Sequence, residues 1–501
     1  MKRSSGILLH ITSLPSPYGI GTLGKEARVF ADFLKQAGQT YWQMLPVGQT
    51  GYGDSPYQPF STFAGNPYLI DLDTLVEDDL LEAAELKTID WGDDARHVDY
   101  GRIYEHRFSL LKKAFSRAQA RDCSEAEAFF RENAAWLDDY ALFMAVKEQF
   151  SMRAFSTWDD DIRLREPAAM ARYREQLSEQ TRFYAFVQYL FFKQWRAFRA
   201  YVNGLGIKLI GDLPIYVSPD SADVWANPSC FQLDENGFPK GVAGVPPDYF
   251  SSTGQLWGNP LYDWAYHKNT RYQWWIERVA AAAELFDTLR IDHFRGFESY
   301  WSVPYSDETA QSGKWEKGPG LDLIHALNDA LPNLSIIAED LGVMTDEVRA
   351  LLRDTSFPGM KVLQFAFDSG EKNDYLPHNY VENCVCYTGT HDNNTLMGWL
   401  DEASESDRAF IKEYLGLNAE EGWHWGVIRG GLSSVARLFV APMQDYLGLG
   451  TSCRMNRPST LGGNWEWRLL PGECTDELAA KIRRCTQVYG RLCAEDAGED
   501  H

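Results

Sequence analysis

Hydrophobic residues fall along this chain in eight short runs, each followed by a Gly, Pro, Asp or Asn signal: Gly6–Ile11, Tyr41–Pro46, Ile207–Tyr216, Thr288–Phe294, Ser335–Ala338, Lys361–Phe367, Cys384–Thr388 and Leu438–Pro442. Runs of this length with such punctuation predict buried strands. Between them the period changes to that of a helix. Ala27–Ala37 sets Val29, Phe30, Phe33 and Leu34 on one face, and Tyr272–Phe286 and Asp346–Leu352 read likewise. Strands alternating with helices call for a parallel sheet, and eight such units predict an α/β fold, the (β/α)8 TIM barrel.

Two intervals are too long for plain crossovers. Residues 73–202 are rich in Ala, Leu, Glu, Arg and aromatics with few glycines, which predicts a mainly helical insertion subdomain. Residues 218–272 are dense in Gly, Pro, Asn and aromatics and lack a helical period, which predicts an irregular insertion over one barrel face. Long irregular loops in compact domains are usually functional. Residues 1–501 therefore read as one barrel with insertions, and the acidic tail Ala494–His501 is expected to fray.

Charge and composition narrow the partners. Among 501 residues, 48 are basic and 71 acidic, a formal charge of −23, and no Lys/Arg stripe offsets it, so nucleic acid is not expected as a partner. No apolar run approaches the roughly 20 residues that span a bilayer. The start Met1–Gly6 leads into a short apolar stretch broken by His10, so no membrane partner is expected and a cytoplasmic location is. Eight cysteines without a Cys-x-x-Cys pair fit a reducing compartment and point to no metal; Cys384 and Cys386 read as small apolar residues on one strand face.

In a barrel of this kind the active site is built at the C-terminal strand ends. Here those ends carry carboxylates: Asp212 in the third run, Asp292 in the fourth, Glu339 and Asp340 after the fifth, Asp392 after the seventh. An unpaired carboxylate directly after a buried strand is costly, so four such positions on one rim are hard to read as solvated surface. Local alternatives exist for each. Asp212 could turn the chain before Leu213 and Pro214, Asp340 could orient the loop before Gly342, His293 could fill space behind its strand, and His391 and Asp392 could shape a turn with Asn393 and Asn394.

Clustered carboxylates in a chain with 17 Trp, 25 Tyr and 27 Phe point to glycoside chemistry, because sugar rings lay their C–H faces on aromatics. Such chemistry needs one acid to protonate the leaving oxygen and a second carboxylate to attack the anomeric centre, ~5 to 5.5 Å apart in retaining enzymes. Neighbouring strands, ~4.8 Å apart, supply about that separation. Asp292 as nucleophile and Glu339 as acid/base meet this condition. Arg290, two residues before Asp292, favours the ionised form there, whereas Glu339 needs an elevated pKa to hold its proton near neutrality.

These segments also carry a resemblance. Ser13–Gly21, Trp42–Pro46, Gly51–Gln58, Gly65–Pro67, Gly211–Pro214, Val245–Ser251 with Gly254–Pro260, Arg290–Gly296, Ala338–Gly342, Gly389–Asn393 and Asn464–Arg468 together resemble the amylomaltase or disproportionating-enzyme family, 4-α-glucanotransferases related to the α-amylase clan. The resemblance spans nearly the whole chain and implies a barrel without a separate C-terminal β-domain. It implies Asp292 as nucleophile, Glu339 as general acid/base and Asp392 as the third carboxylate, gripping sugar hydroxyls. It further implies substrate-binding roles for Arg290, His391, Asp212, Tyr57, Ser55, Tyr249, Phe250, Trp257 and Asn464.

The implied activity moves an α-1,4-glucan segment from a donor maltooligosaccharide to the 4-hydroxyl of an acceptor glucan or glucose, with no cofactor and no metal. A plain retaining hydrolase and a non-catalytic glucan-binding protein are the alternatives. Three departures from the family pattern, Thr22, Asn394 and Ser459, remove no catalytic carboxylate.

Overall fold

The computed structural model describes residues 2–51, 53–247, 251–342 and 344–492. Its strands are β1 (Ser4–Leu8), β2 (Tyr41–Gln43), β3 (Lys208–Leu213), β4 (Gly241–Val245), β5 (Gln255–Pro260), β6 (Thr288–Ile291), β7 (Ser299–Pro304), β8 (Lys314–Lys317), β9 (Ile336–Ala338), β10 (Gly359–Val362), β11 (Cys384–Tyr387) and β12 (Leu438–Pro442). Each of the eight hydrophobic runs overlaps one strand of a single parallel sheet, ordered β10-β11-β12-β1-β2-β3-β6-β9. β1 begins two residues before its run, and β10 shares only Lys361 and Val362 with its own, which continues into a 3-10 turn at Leu363–Phe365.

Two hydrogen bonds join the ends of that sheet. Ala338 N donates to Pro358 O (3.0 Å) and Met360 N to Asp340 Oδ1 (2.6 Å), which brings β9 against β10 and closes the barrel. The closure is tight. A Cβ on Gly359 would stand 2.5 Å from Asp340 Oδ2, so a side chain there would displace the carboxylate that holds the seam.

Several strands stop earlier than their hydrophobic runs, for local reasons. β3 ends before Pro214, which has no N–H to give a ladder. β6 ends because His293 turns into the left-handed region at φ 51°. The helices Lys25–Gln36, Gln273–Leu285 and Asp346–Thr355 lie where the helical period placed them. On the first, Phe30, Phe33 and Leu34 are buried as expected, with Ala27 and Ala31, but Val29 faces solvent.

Residues 72–204 hold a set of helices, of which Ser124–Gln149 and Ser178–Gly204 are the longest. The interval 218–272 is more ordered than its composition suggests. β4 and β5 pair antiparallel, and β4 also pairs with β7, which pairs with β8, so segments on either side of β6 build one four-stranded sheet. Short, glycine-rich Gly241–Val245 shows no strand period by itself; its partner β7 lies beyond the next barrel strand. Among the described residues no helix is long and apolar enough to cross a membrane.

Replacing Asp340 with Ala leaves the Met360 N–H without its acceptor at the barrel seam. The expected loss is about 1–3 kcal/mol in urea unfolding, with activity falling too because Glu339 is the adjacent residue. An unchanged midpoint would show that the seam does not depend on this carboxylate.

Candidate active site

Strand register brings the titratable groups together. Asp212 on β3 lies beside Arg290 on β6, and Ile291 on β6 beside Ala338 on β9. The residues that follow this last pair, Asp292 and Glu339, therefore leave neighbouring strands at the same level. Glu339 N donates to Ile291 O (3.0 Å), Phe294 N to Glu339 O (3.0 Å) and Asp292 N to Leu213 O (3.0 Å), so the backbone itself anchors both.

Arg290 is the centre of the charge network. Its Nη1 donates to both oxygens of Asp212 (2.7 and 2.6 Å) and to Asp292 Oδ1 (3.0 Å). Burial alone would lower the guanidinium pKa, yet Asp212 and Asp292 carry it well above its ordinary value. Burial pushes the Asp212 carboxyl above the usual carboxylate range while Arg290 pulls the other way. Asp292 differs in environment: its side chain is 31% exposed, against 0% for Asp212, and so is open to solvent.

Glu339 is held quite differently. Oε2 accepts from His293 N (2.7 Å) and Oε1 from Leu341 N (2.7 Å), two rigid backbone donors. Burial first, then the charge of Asp292, pushes its carboxyl up to about 8. His293 adopts the left-handed conformation that aims its N–H at Glu339, a strained geometry for a residue other than glycine. Burial drops the His293 imidazole to about 4, so it is neutral, and Trp257 on β5 meets it edge-on with ring centroids 4.8 Å apart. The antiparallel sheet thus reaches the site through one indole.

A second network runs through Tyr57. Its hydroxyl donates to Asp212 Oδ2 (2.8 Å), which leaves the phenol oxygen to accept from His391 Nδ1 (3.3 Å) and assigns the ring proton to that nitrogen. Tyr57 and His391 stack at 5.0 Å, and His391 Nε2 lies 3.4 Å from Asp392 Oδ1. Ser55 does not reach this network; its Oγ accepts from Tyr57 N (3.2 Å) and fixes the turn that presents the phenol.

Asp392 itself stands free of the turn beside it. Asn393, not Asp392, accepts from Thr390 N (2.8 Å), which leaves the Asp392 carboxylate half-exposed in the cleft. Asn464 is engaged elsewhere, its Oδ1 accepting from Arg457 N (2.8 Å) and its Nδ2 donating to Thr460 O (3.2 Å), so its amide braces the 457–464 loop. Asp340 belongs to the barrel seam. Tyr249 and Phe250 lie outside the described residues.

Asn456 and Arg454 are additions that sequence reasoning missed. Asn456 Nδ2 donates to Asp392 Oδ1 (2.6 Å) and Arg454 to the Asp392 carbonyl. No local pattern marks them, because the pairing spans more than sixty residues. Trp465 flanks both Tyr57 and His391, at 5.8 and 5.9 Å between ring centroids. Among the described residues no group of three or more His, Cys, Asp or Glu side chains is arranged to hold a metal ion.

A parallel barrel that carries two carboxyls at the ends of neighbouring strands, one part-exposed beside an arginine and one buried and proton-retaining, fits an enzyme of glycosidic-bond chemistry. Comparison with known proteins makes this specific. The family described as 4-alpha-glucanotransferase matches residues 9–473, and the chain belongs to it. It is 50% identical to the 4-alpha-glucanotransferase of Thermus thermophilus over 98% of this chain and 100% of that protein. To the 4-alpha-glucanotransferase of Clostridium butyricum it is 49% identical, over 96% and 100% respectively. Among solved structures, amylomaltase from Streptococcus agalactiae in complex with acarbose superposes with a TM-score of 0.96 at 42% identity, covering 98% of this chain and 100% of that one.

Asn456→Ala should free the Asp392 carboxylate from its only side-chain amide donor among the described residues. A roughly tenfold fall in kcat for maltotriose disproportionation is expected, with the thermal midpoint unmoved. Unchanged kcat would show that His391 and the backbone suffice to place Asp392.

Proposed function

We propose that this 4-alpha-glucanotransferase moves α-1,4-glucan segments by retaining double displacement, with Asp292 as nucleophile and Glu339 as general acid and base. Asp292 attacks the anomeric carbon from one face while Glu339 protonates the departing glycosidic oxygen, and a covalent glycosyl-enzyme forms. The fragment carrying the new hydroxyl end leaves. Glu339, now ionised and stabilised by the N–H groups of His293 and Leu341, takes the proton of an incoming 4-hydroxyl, and attack on the intermediate restores the α-linkage.

The observation that carries this reading is the contrast between the two carboxyls. Asp292 shares the charge of Arg290 and is open to solvent, whereas Glu339, pushed up to about 8, keeps a proton at neutral pH. Around them Asp392 and His391 grip hydroxyls of the reacting sugar, Tyr57 lies against its ring, and Asp212 holds Tyr57 and Arg290 in place. Trp257 covers the acceptor side. Maltooligosaccharides and α-1,4-glucans serve as donor and acceptor, and glucose as the smallest acceptor. Water at ~55 M competes for the intermediate, so transfer requires that a sugar hydroxyl be positioned better than water.

Incubation with maltotriose tests the activity: glucose together with longer maltodextrins is expected, and Asp292→Asn should abolish both products while leaving substrate binding intact. Maltose and glucose alone would make the protein a hydrolase. The pH profile of kcat/KM tests the assignment of Glu339. Because its carboxyl loses the proton as pH rises through about 8, the alkaline limb should fall there, with full acid function below it. A limb near 5 would assign the acid to another group.

A further inference from the structure

Asp445 is a buried carboxyl that the mechanism above leaves without a task. It lies in the short helix Met443–Tyr446 directly after β12, is 1% exposed, and has no cation paired with it among the described residues. Burying such a group costs stability unless hydrogen bonds offset it, so its partners matter.

Both partners lie on one segment. Oδ2 accepts from Thr388 Oγ1 (2.6 Å) and Oδ1 from Leu396 N (2.8 Å). Thr388 follows β11 and Leu396 opens the helix Leu396–Glu402, so a single carboxyl ties the entry of this turn to its exit. Between those two ends stand His391 and Asp392. From the other side Gln364, after β10, makes a similar pair of bonds, from its N to Thr388 O (3.3 Å) and from Nε2 to Asn394 O (2.7 Å). Gln364 is partly exposed, whereas Asp445 is sealed in.

Packing alone does not fix the turn. A cavity of about 20 Å³, room for about one water, is lined by His10, Thr390, His391 and Asp445 among others. Side chains that border such a gap lose contacts on that side, so the bonds at the two ends carry more of the work of placing the turn.

Burial pushes the Asp445 carboxyl up to about 7, against the pull of its two donors. The neutral acid holds both ends as well, because a proton on Oδ2 goes to Thr388 Oγ1, which can accept, while Oδ1 still accepts from Leu396 N. The turn therefore requires the shape and the two attachments rather than the charge. An amide at this position meets the same requirement.

We propose that Asp445 is a positioning residue: by clasping both ends of the turn 388–396 it sets His391 and Asp392 where they grip the reacting sugar. The inference rests on the roles that the glucan-transfer reading above gives to those two residues. A misplacement of about 1 Å at a reacting centre can cost ~100-fold in rate, so a clasp that touches no substrate still bears on turnover.

The test compares full-length wild type, Asp445→Ala, Asp445→Asn, Asp392→Asn, and Asp392→Asn with Asp445→Ala added. Fluoride release from α-maltotriosyl fluoride is followed, because its activated bond keeps slow variants measurable. Asp445→Ala should lower kcat by roughly thirtyfold, and Asp445→Asn, which retains both attachments, by less than about threefold. With Asp392 already replaced, adding Asp445→Ala should cost less than about threefold, since the group it positions is gone. A merely architectural role gives the same loss in both backgrounds and overturns the proposal. An Asn variant as slow as the Ala one overturns it too, as does an Asp445→Ala variant with unchanged kcat. Where Asp445→Ala does not fold, Thr388→Val takes its place in the same cycle; it keeps the side chain's shape and deletes one attachment, with a loss of roughly fivefold expected. Fluoride is released whether sugar or water completes the turnover. A wild type that yields only hydrolysis products therefore sinks the transfer reading and leaves this comparison valid, and one that releases no fluoride overturns both.

Discussion

One buried guanidinium shared by two carboxylates is the interaction on which the site depends. Arg290 reaches Asp212 and Asp292 through the same nitrogen, on an interior strand where neither Arg290 nor Asp212 could be charged alone. Its position follows from barrel register: β3 and β6 set Asp212 and Arg290 opposite one another, and the chain exits β6 two residues later at Asp292. The arrangement is asymmetric by construction. Asp212 is sealed in with Tyr57 as a second donor, while Asp292 has only the arginine and an open side.

The neighbouring strand makes the opposite electrostatic choice. Glu339 has no cation in direct contact among the described residues, only two backbone N–H groups, and burial together with the charge of Asp292 keeps it protonated to about pH 8. Those amides favour the carboxylate and draw its pKa down against burial, so they stabilise the ion that remains once the proton has been given. Aiming one of them requires His293 to take a left-handed backbone, a cost of about 1–2 kcal/mol that the packing of Trp257 and the bond from Phe294 N to Glu339 O hold in place. Strain, burial and a fixed dipole are here parts of one acid.

Much of this was legible in the chain. All eight barrel strands appear as hydrophobic runs, because a strand buried on both faces needs no partner to reveal itself. Asp292 and Glu339 stand out because a carboxylate within or directly after such a run must be accounted for. What stayed hidden shares one property, a partner far away in sequence. β4 is too short and too rich in glycine to declare a strand without β7, Asn456 means nothing without Asp392, and Val29 matches the helical period of its neighbours yet lies on the outer edge of the helix. Asn464 is the converse case: it sits beside the tryptophan that flanks Tyr57 and His391, and its amide is hydrogen-bonded within its own loop.

By itself, then, the order of residues determined that this protein would be a parallel barrel with acidic strand ends, since burial of eight apolar segments leaves few other solutions. Only the folded molecule decided which carboxyl stands open to solvent beside a guanidinium and which is buried and keeps its proton. That distinction depends on solvent access, on a guanidinium 2.6 Å from one acid and 3.0 Å from another, and on two amides turned toward a third. None of these is a property of a residue or its neighbours in sequence; each exists only after distant segments have been brought to the same rim.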